Sequence, residues 1–253
     1  MEVDVIIPFC REYTSEEKLN EAKESVRNQE ISTNIIVQEN DVSPAYGRNK
    51  GLEASENRFV AFLDADDRWR KGKLKEQLDR MKDKDKGFSI TGVRDISDKD
   101  FVKKVFLMRL TGFTSGIVID TEKVDSRFDE NIYRREDHLF ALDAVKKGGF
   151  AGIKEDYVEV SKHSGGLSNQ EDVKKKISAQ GEFYDKSVSL WPFLENFQRE
   201  FWRYVYHRAG RDLYYEGKYK ASCEYLKKSL SYKIKLKTVL ALILSKYNIK
   251  QLT

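Results

Sequence analysis

Residues Val3 to Pro8 form an almost unbroken apolar run that opens the chain, and this run constrains the fold more than any other stretch. A short run with so little alternation reads as a strand covered on both faces, the situation of a parallel sheet layered between helices. The next segments repeat the pattern. Thr14 with Glu17 three residues on has the form of a capping box, and Leu19, Ala22 and Val26 then recur at helical spacing. Asn34–Gln38 and Phe59–Leu63 are further short apolar runs, with a segment around Gly47–Ala54 between them that can turn and hold a helix. The order β, α, β, α, β with crossovers too long for hairpins predicts an α/β sheet that binds ligands beyond the carboxyl ends of its strands. Phe88–Val93 and Phe113–Ile119 read as later strands. Glu136–Lys147 reads as a helix with Leu139, Leu142 and Val145 inward and Gly148-Gly149 as its stop.

Composition narrows the class. In 253 residues, 40% apolar and 35% charged side chains with three prolines exclude disordered and fibrous readings. No apolar run reaches the roughly 18 residues needed to cross a bilayer, and Glu2, Asp4 and Arg11 come too early for a signal peptide, so a cytoplasmic protein is expected. Cys10 and Cys223, with no CxxC partner, are expected as reduced thiols that supply neither a disulfide framework nor a zinc knuckle. Residues 171–253 hold 17 Lys/Arg against 9 Asp/Glu and 15 of the 30 aromatics, whereas residues 1–170 hold 29 against 33. Both shifts begin near Ser164–Asn169, which divides the expected chain into a catalytic domain, 1–168, and a helical extension, 169–253.

Phe59–Leu63 runs straight into Asp64-Ala65-Asp66-Asp67, so three carboxylates emerge where a buried strand meets the expected ligand crevice. Clustered carboxylates raise one another's pKa unless a cation compensates, and hard oxygen ligands suit Mg²⁺ or Mn²⁺. The structural alternative is a solvated turn in which Asp67 caps the next helix. A site with two or three carboxylates leaves metal positions open for a substrate's phosphates, which implies a diphosphate. Neither GxxxxGK[ST] nor GxGxxG follows a strand, which argues against kinases, ATPases and dehydrogenases.

In sequence, VDVIIPF, IIVQEND, GRNKGLEAS, FVAFLDADDRW and FDENIYRREDHLF stand in the order and at the spacing seen in family 2 glycosyltransferases, which the chain resembles over roughly residues 1–165. The resemblance implies a GT-A fold, a mostly parallel central sheet flanked by helices, here with a C-terminal helical extension. It also implies inverting transfer of a sugar from a nucleotide diphosphate sugar, UDP-linked by the nearest reading, to a hydroxyl of a glycan or lipid-linked acceptor. By motif, Pro8, Phe9 and Arg11 would line the nucleotide pocket. Glu39 would take the place of an aspartate that accepts from the base; Gln38-Glu39 is a departure from the common Asp-Asp pair. Arg48 and Asn49 would close over the nucleotide. Asp64, Asp66 and Asp67 match the DxD element, with Asp66 and Asp67 as metal ligands and Asp64 turned to the donor. Asp137 of Arg134-Arg135-Glu136-Asp137-His138 would be the base, the alternative being first-turn acids that only favour the helix N-terminus. His163 would reach the metal or diphosphate. Thr114, Ser115 and Glu136 would face the acceptor, the alternative for Thr114-Ser115-Gly116 being a strand with a glycine bulge.

Two rival functions use the same features: a nucleotidyl- or phosphotransferase acting on phosphorus, and a sugar-nucleotide-binding helical adaptor without turnover. In the tail, Gly210, Tyr214, Gly217, Tyr219, Ala221, Tyr225 and Leu230 have the spacing of one tetratricopeptide-type helix pair, too few for a solenoid. The last segment, Lys233–Lys250, sets Val239, Leu240, Leu242, Ile243 and Leu244 among lysines. It can be a core helix with solvated lysines, or a helix in the headgroup region of an anionic membrane, peripheral at its inner face. Acids interspersed among the basic residues argue against nucleic acid as a partner.

Overall fold

The computed structural model describes residues 2–39, 42–110, 114–161 and 172–247. The chain divides into two compact units, Met1–Ser164 and Gly165–Thr253. The stretch expected to hold the boundary, residues 164–169, lies outside the described residues.

The amino-terminal unit is built on a six-stranded sheet of order β2-β1-β3-β6-β5-β7. β1 (Glu2–Phe9) pairs in parallel with β2 (Ser32–Glu39) and with β3 (Phe59–Phe62). β6 (Ile117–Asp120) runs antiparallel between β3 and β5 (Phe88–Ile90), and β7 (Phe150–Gly152) pairs in parallel with β5. β4 (Arg68–Trp69) and β8 (Val158–Glu159) form a separate antiparallel ribbon.

β1 is covered on both faces, as its composition requires. Val3, Val5 and Ile7 join a core with Leu19, Ala22 and Val26 of α1 (Glu16–Arg27) and Leu74, Leu78 and Met81 of α3 (Lys73–Lys84). On the other face Ile6 meets Gly51 of α2 (Pro44–Ala54) so closely that a Cβ there would lie 2.3 Å from the Ile6 side chain. Phe62, Phe128 and Phe140 close that layer, the last two stacked at 4.1 Å, with Phe140 carried by α5 (Glu136–Gly148). α4 (Asp98–Phe106) buries Phe101 against Phe150 of β7.

Several expectations shift. The cap of α1 is Ser15, not Thr14: Ser15 has the extended backbone of a cap and accepts from the Lys18 amide at 3.4 Å, leaving Glu16 and Glu17 in the first turn. The strand expected over Phe88–Val93 ends at Ile90, and Gly92 turns away at φ 75°. Thr114–Gly116 is a 3-10 turn, so β6 begins only at Ile117; Phe113 lies outside the described residues.

The carboxyl-terminal unit is helical. α6 (Val173–Leu190) is capped by Asp172 and followed by a 3-10 segment, Pro192–Phe197. α7 (Gln198–Tyr215) and α8 (Tyr219–Tyr232) form a hairpin that turns at Gly217, whose φ is 76°. The hairpin begins well before Gly210, the first residue of the repeat-like spacing. At Gly210 a Cβ would lie 2.6 Å from Leu226 Cγ, which is the reason for a glycine inside α7. α9 (Leu236–Lys246) packs on this pair through small polar residues: Thr238 Oγ1 is 3.0 Å from His207 Nδ1, and Ser245 Oγ is 2.8 Å from Ser222 Oγ. Among the described residues no helix is long and apolar enough to cross a membrane.

Candidate functional site

The site of the amino-terminal unit is assembled at the carboxyl ends of β1, β2 and β3 by one buried arginine. Arg48 lies on α2, which Ser43 starts by accepting from the Tyr46 amide at 3.1 Å with Pro44 in the first turn. Its side chain is about 5% exposed, stands 5.3 Å over the Phe128 ring, and donates to Asp64 Oδ1 at 2.8 Å and Glu136 Oε1 at 3.3 Å. Asp64 lies just after β3 and Glu136 opens α5, so two acidic motifs 72 positions apart share one guanidinium. That geometry suits arginine, whose planar donors can serve two carboxylates at once.

The Asp-Ala-Asp-Asp loop does not offer all its acids to the same side. Asp67 is buried: its Oδ2 accepts from Ser115 Oγ at 2.6 Å and its Oδ1 from the Ser161 amide at 3.1 Å. Burial, reinforced by the charges of Asp64 and Asp66 and opposed by the Ser115 bond, pushes the Asp67 carboxyl up to about 6. Ser115 Oγ also accepts from the Asp64 amide at 3.0 Å, and its carbonyl takes the Trp69 Nε1–H at 2.7 Å. Ser115, 1% exposed, is therefore an internal brace of the loop and faces no acceptor. Asp67 neither caps a helix nor opens toward a ligand. Asp66 is half-buried, and burial together with the Asp64 charge raises its carboxyl.

The second acidic motif enters α5 through Arg135, whose φ of 72° is left-handed for a side-chain-bearing residue. Burial raises the Glu136 carboxyl, as does the neighbouring Asp137 charge, while Arg48 opposes both. Burial would raise Asp137 too, but His138, Arg48 and Arg135 outweigh it and hold this carboxyl well below the usual range. Asp137 Oδ1 accepts from the His138 amide at 2.7 Å and lies 2.8 Å from its Nδ1; Thr114 Oγ1 stands 3.4 Å from Oδ2. Thr114 and Glu136 thus belong to this cluster, Thr114 through Asp137 and Glu136 through Arg48.

Asn49, expected to face the donor, is committed elsewhere. Its amide donates to the Phe128 carbonyl and to Glu130 at 2.9 and 2.6 Å and accepts from the Phe128 amide at 2.9 Å. These bonds hold the loop that carries Phe128 beneath Arg48, which makes Asn49 a positioning residue in the site's floor. Pro8 is half-buried and Phe9 buried at the end of β1. Phe9 is in register with Glu39, the last residue of β2, and Arg11 spans the two strand ends by donating to Glu39 at 2.5 and 3.2 Å and pairing with Glu16. The Arg11 bond holds the Glu39 carboxyl below its ordinary range. His163 lies outside the described residues.

Among the described residues no group of three or more His, Cys, Asp or Glu side chains is disposed as a metal cage. With Asp67 turned inward, Asp66 and Asp64 remain, and Arg48 already balances part of the Asp64 charge. This set fits a Mg²⁺ or Mn²⁺ that arrives with a diphosphate, since such ions are usually held by one or two carboxylates plus substrate oxygens.

The braces of the site carried faint signals in sequence. Ser115 and Asn49 were visible as small polar residues near motifs, but their roles depend on partners 48 and 79 positions away. Asp4 gave none. It sits inside an apolar strand, fully buried, and accepts four hydrogen bonds of 2.8–2.9 Å from Asn34, the Glu56 amide and both nitrogens of Asn57.

Comparison with known proteins fits this geometry. Residues 30–140 match the family model described as Glycosyl transferase family 2. The chain is 31% identical over 131 residues to the putative teichuronic acid biosynthesis glycosyltransferase TuaG of Bacillus subtilis, covering 45% of this chain and 50% of that protein. It is 32% identical over 153 residues to the amylovoran biosynthesis glycosyltransferase AmsB of Erwinia amylovora, covering 52% and 51%. The chain thus spans about half the length of these curated relatives. Among solved structures, S. aureus TarS 1-349 in complex with UDP-GlcNAc superposes with a TM-score of 0.55 at 16% identity, over 97% of this chain and 79% of that one. Mannosyltransferase PcManGT from Pyrobaculum calidifontis, in complex with GDP-Man and Mn²⁺, gives 0.59 at 13% identity over 97% and 79%. These likenesses show the GT-A fold. By its fold, its sequence match over residues 30–140 and the order of its acidic motifs, the amino-terminal unit of the chain is similar to the glycosyltransferases of family 2.

Proposed function

We propose that the protein is an inverting glycosyltransferase that moves a sugar from a nucleotide diphosphate donor to a hydroxyl of a glycan or lipid-linked acceptor in polysaccharide synthesis. The observation that carries this reading is the double ion pair of Arg48, which gathers the acids after β3 and those opening α5 around one centre. The relatives named above support polysaccharide synthesis, and the nucleotides in the solved neighbours support a nucleoside diphosphate sugar. Those neighbours hold uridine and guanosine donors respectively, so the Glu39 departure leaves both bases to be assayed.

In this reading Asp137 is the base. Its depressed pKa keeps it ionised at neutral pH, and His138 fixes its Oδ1 edge. The acceptor oxygen forms its bond to the anomeric carbon from the face opposite the diphosphate while the carbon–oxygen bond to the diphosphate breaks. The hydroxyl proton, increasingly acidic as that bond forms, passes to Asp137, so a weak base suffices late in the step. Asp66 and Asp64 would hold Mg²⁺ or Mn²⁺, which supplies positive charge to the departing diphosphate when bound. Arg48 keeps Asp64 and Glu136 in place, and the Ser115–Asp67 brace fixes the loop beneath.

The test is turnover with labelled UDP- and GDP-sugars against donor affinity by calorimetry, for the wild type and Asp137→Asn. The variant should bind donor as before and lose roughly 10²- to 10⁴-fold in turnover, the range for removing a general base. Turnover within a few-fold of wild type would remove Asp137 from this role. Pyrophosphate among the products, or saturable donor binding with no turnover in the wild type, would overturn the transferase reading itself.

A further inference from the structure

α9 is packed inside out. Its two most buried side chains are polar, Thr238 at 0% and Ser245 at 1% exposed, and both are satisfied by hydrogen-bonding partners on α7 and α8. Its exposed side chains include large apolar ones: Leu236 at 75%, Leu240 at 53%, Ile243 at 44% and, just beyond the helix, Tyr247 at 64%, with Ile234 at 76% leading in. The positions 236, 240, 243 and 247 recur at i, i+4, i+7 and i+11, so they form one stripe, and Thr238 and Ser245 fall on the opposite face. A helix whose core face needed apolar contact would be oriented the other way. α9 therefore packs on the hairpin through one face and leaves this apolar stripe solvated together with its lysines.

Charge identifies what covers it. Residues 233–247 carry Lys233, Lys235, Lys237 and Lys246 and no acid. Lys237 follows Leu236 and Lys246 precedes Tyr247, which places them roughly 100° to either side of the stripe. Lysines in those positions can lie along apolar surface and extend their ammonium groups outward. A second copy of the chain seated on this face would oppose lysine to lysine, and an apolar protein groove would leave the flanking charges without counterions. An anionic lipid surface satisfies both parts, accepting the stripe among acyl chains and the lysines among phosphates. Beside the stripe, Arg211, Lys237, His207, Tyr214 and Tyr215 line a cavity of about 220 Å³ within the same unit, room for a headgroup phosphate next to two cations. His207 is held neutral there, with a pKa lowered to about 4 by burial and by the charges of Lys237 and nearby arginines.

We infer that α9 is an interfacial helix that docks the carboxyl-terminal unit on the surface of an anionic bilayer, independently of the transfer chemistry. The test is co-sedimentation of the full chain with vesicles of phosphatidylcholine, with and without phosphatidylglycerol, at low and high salt, alongside its sedimentation velocity without lipid. Binding should need phosphatidylglycerol and weaken with salt. Lys237→Gln and Lys246→Gln should each lower partitioning about fivefold, the effect of one lysine near an anionic surface. Leu240→Glu with Ile243→Glu should abolish binding and leave the melting temperature unchanged, because both side chains are already exposed. No sedimentation with phosphatidylglycerol vesicles overturns the inference. So does equal binding to pure phosphatidylcholine, or binding that survives Leu240→Glu with Ile243→Glu. A concentration-dependent dimer that those two substitutions dissolve, without vesicle binding, assigns the face to a second copy instead. None of these readouts depends on donor turnover.

Discussion

Replacing Arg48 with methionine removes one charge while keeping most of the volume that rests on Phe128. In the wild type the guanidinium is about 5% exposed and pairs with Asp64 at 2.8 Å and Glu136 at 3.3 Å, whose side chains are 36% and 24% exposed. At those distances each pair would give about 5–6 kcal/mol at an effective dielectric of 20, most of it offset by the desolvation of three ions. Breaking a buried pair by removing one partner costs about 3–5 kcal/mol, and partial solvation of these two carboxylates lowers that to about 2–4 kcal/mol. In a unit of this size that is a fall of roughly 5–15 °C in melting temperature. Calorimetric and urea unfolding of Arg48→Met would measure it. The double variant Arg48→Met/Glu136→Gln should recover part of the loss, with a coupling of about 1–3 kcal/mol, because the stranded carboxylate is gone. If Arg48→Met unfolds within about 0.5 kcal/mol of wild type, or if the cycle shows no coupling, then Arg48 does not organise the two acidic motifs and the reasoning fails at its first step.

Two further outcomes test the packing. Asp4→Ala strands the donors of Asn34, Asn57 and the Glu56 amide inside the sheet and should cost about 3–5 kcal/mol in urea unfolding, more than a surface acid would. Burial raises the Asp4 carboxyl, but those bonds outweigh it and leave it lowered, so its stabilisation holds above the unfolded value near 3.8 and is lost as pH falls through the folded one. His207, lowered from 6.5 to about 4 chiefly by burial, binds fewer protons folded than unfolded across that window. The carboxyl-terminal unit should therefore lose up to about 3 kcal/mol as pH drops from 6.5 toward 4, and His207→Gln should flatten that slope; an unchanged slope in pH-dependent melts would contradict it.

What could be read along the chain was whatever depends on neighbours in sequence. Val3–Pro8 and Phe59–Leu63 announce strands because burial on two faces demands continuous apolar residues, Asn34–Gln38 announces one as a short apolar run although it forms a half-buried edge strand, and Leu19, Ala22 and Val26 announce a helix by their period. The acidic motifs and their order were equally plain, and they sufficed for the resemblance and for the fold it implies. Direction was not legible. Asp64, Asp66 and Asp67 look alike in a row, yet only the arrival of Ser115 and Ser161 turns Asp67 inward, and only α2 brings Arg48 to Asp64. Asp4 appeared as an ordinary early charge until the strand pairing and the 56–57 turn surrounded it with donors. α9 is the sharpest case: the same mixture of leucines and lysines serves a core or a surface. Which face is covered was decided by where Thr238 and Ser245 found hydrogen-bond partners on two other helices. Local pattern sets the element, because backbone periodicity is local; side-chain partnership is settled by segments far apart in the chain, and it is there that charge, pKa and exposure are determined.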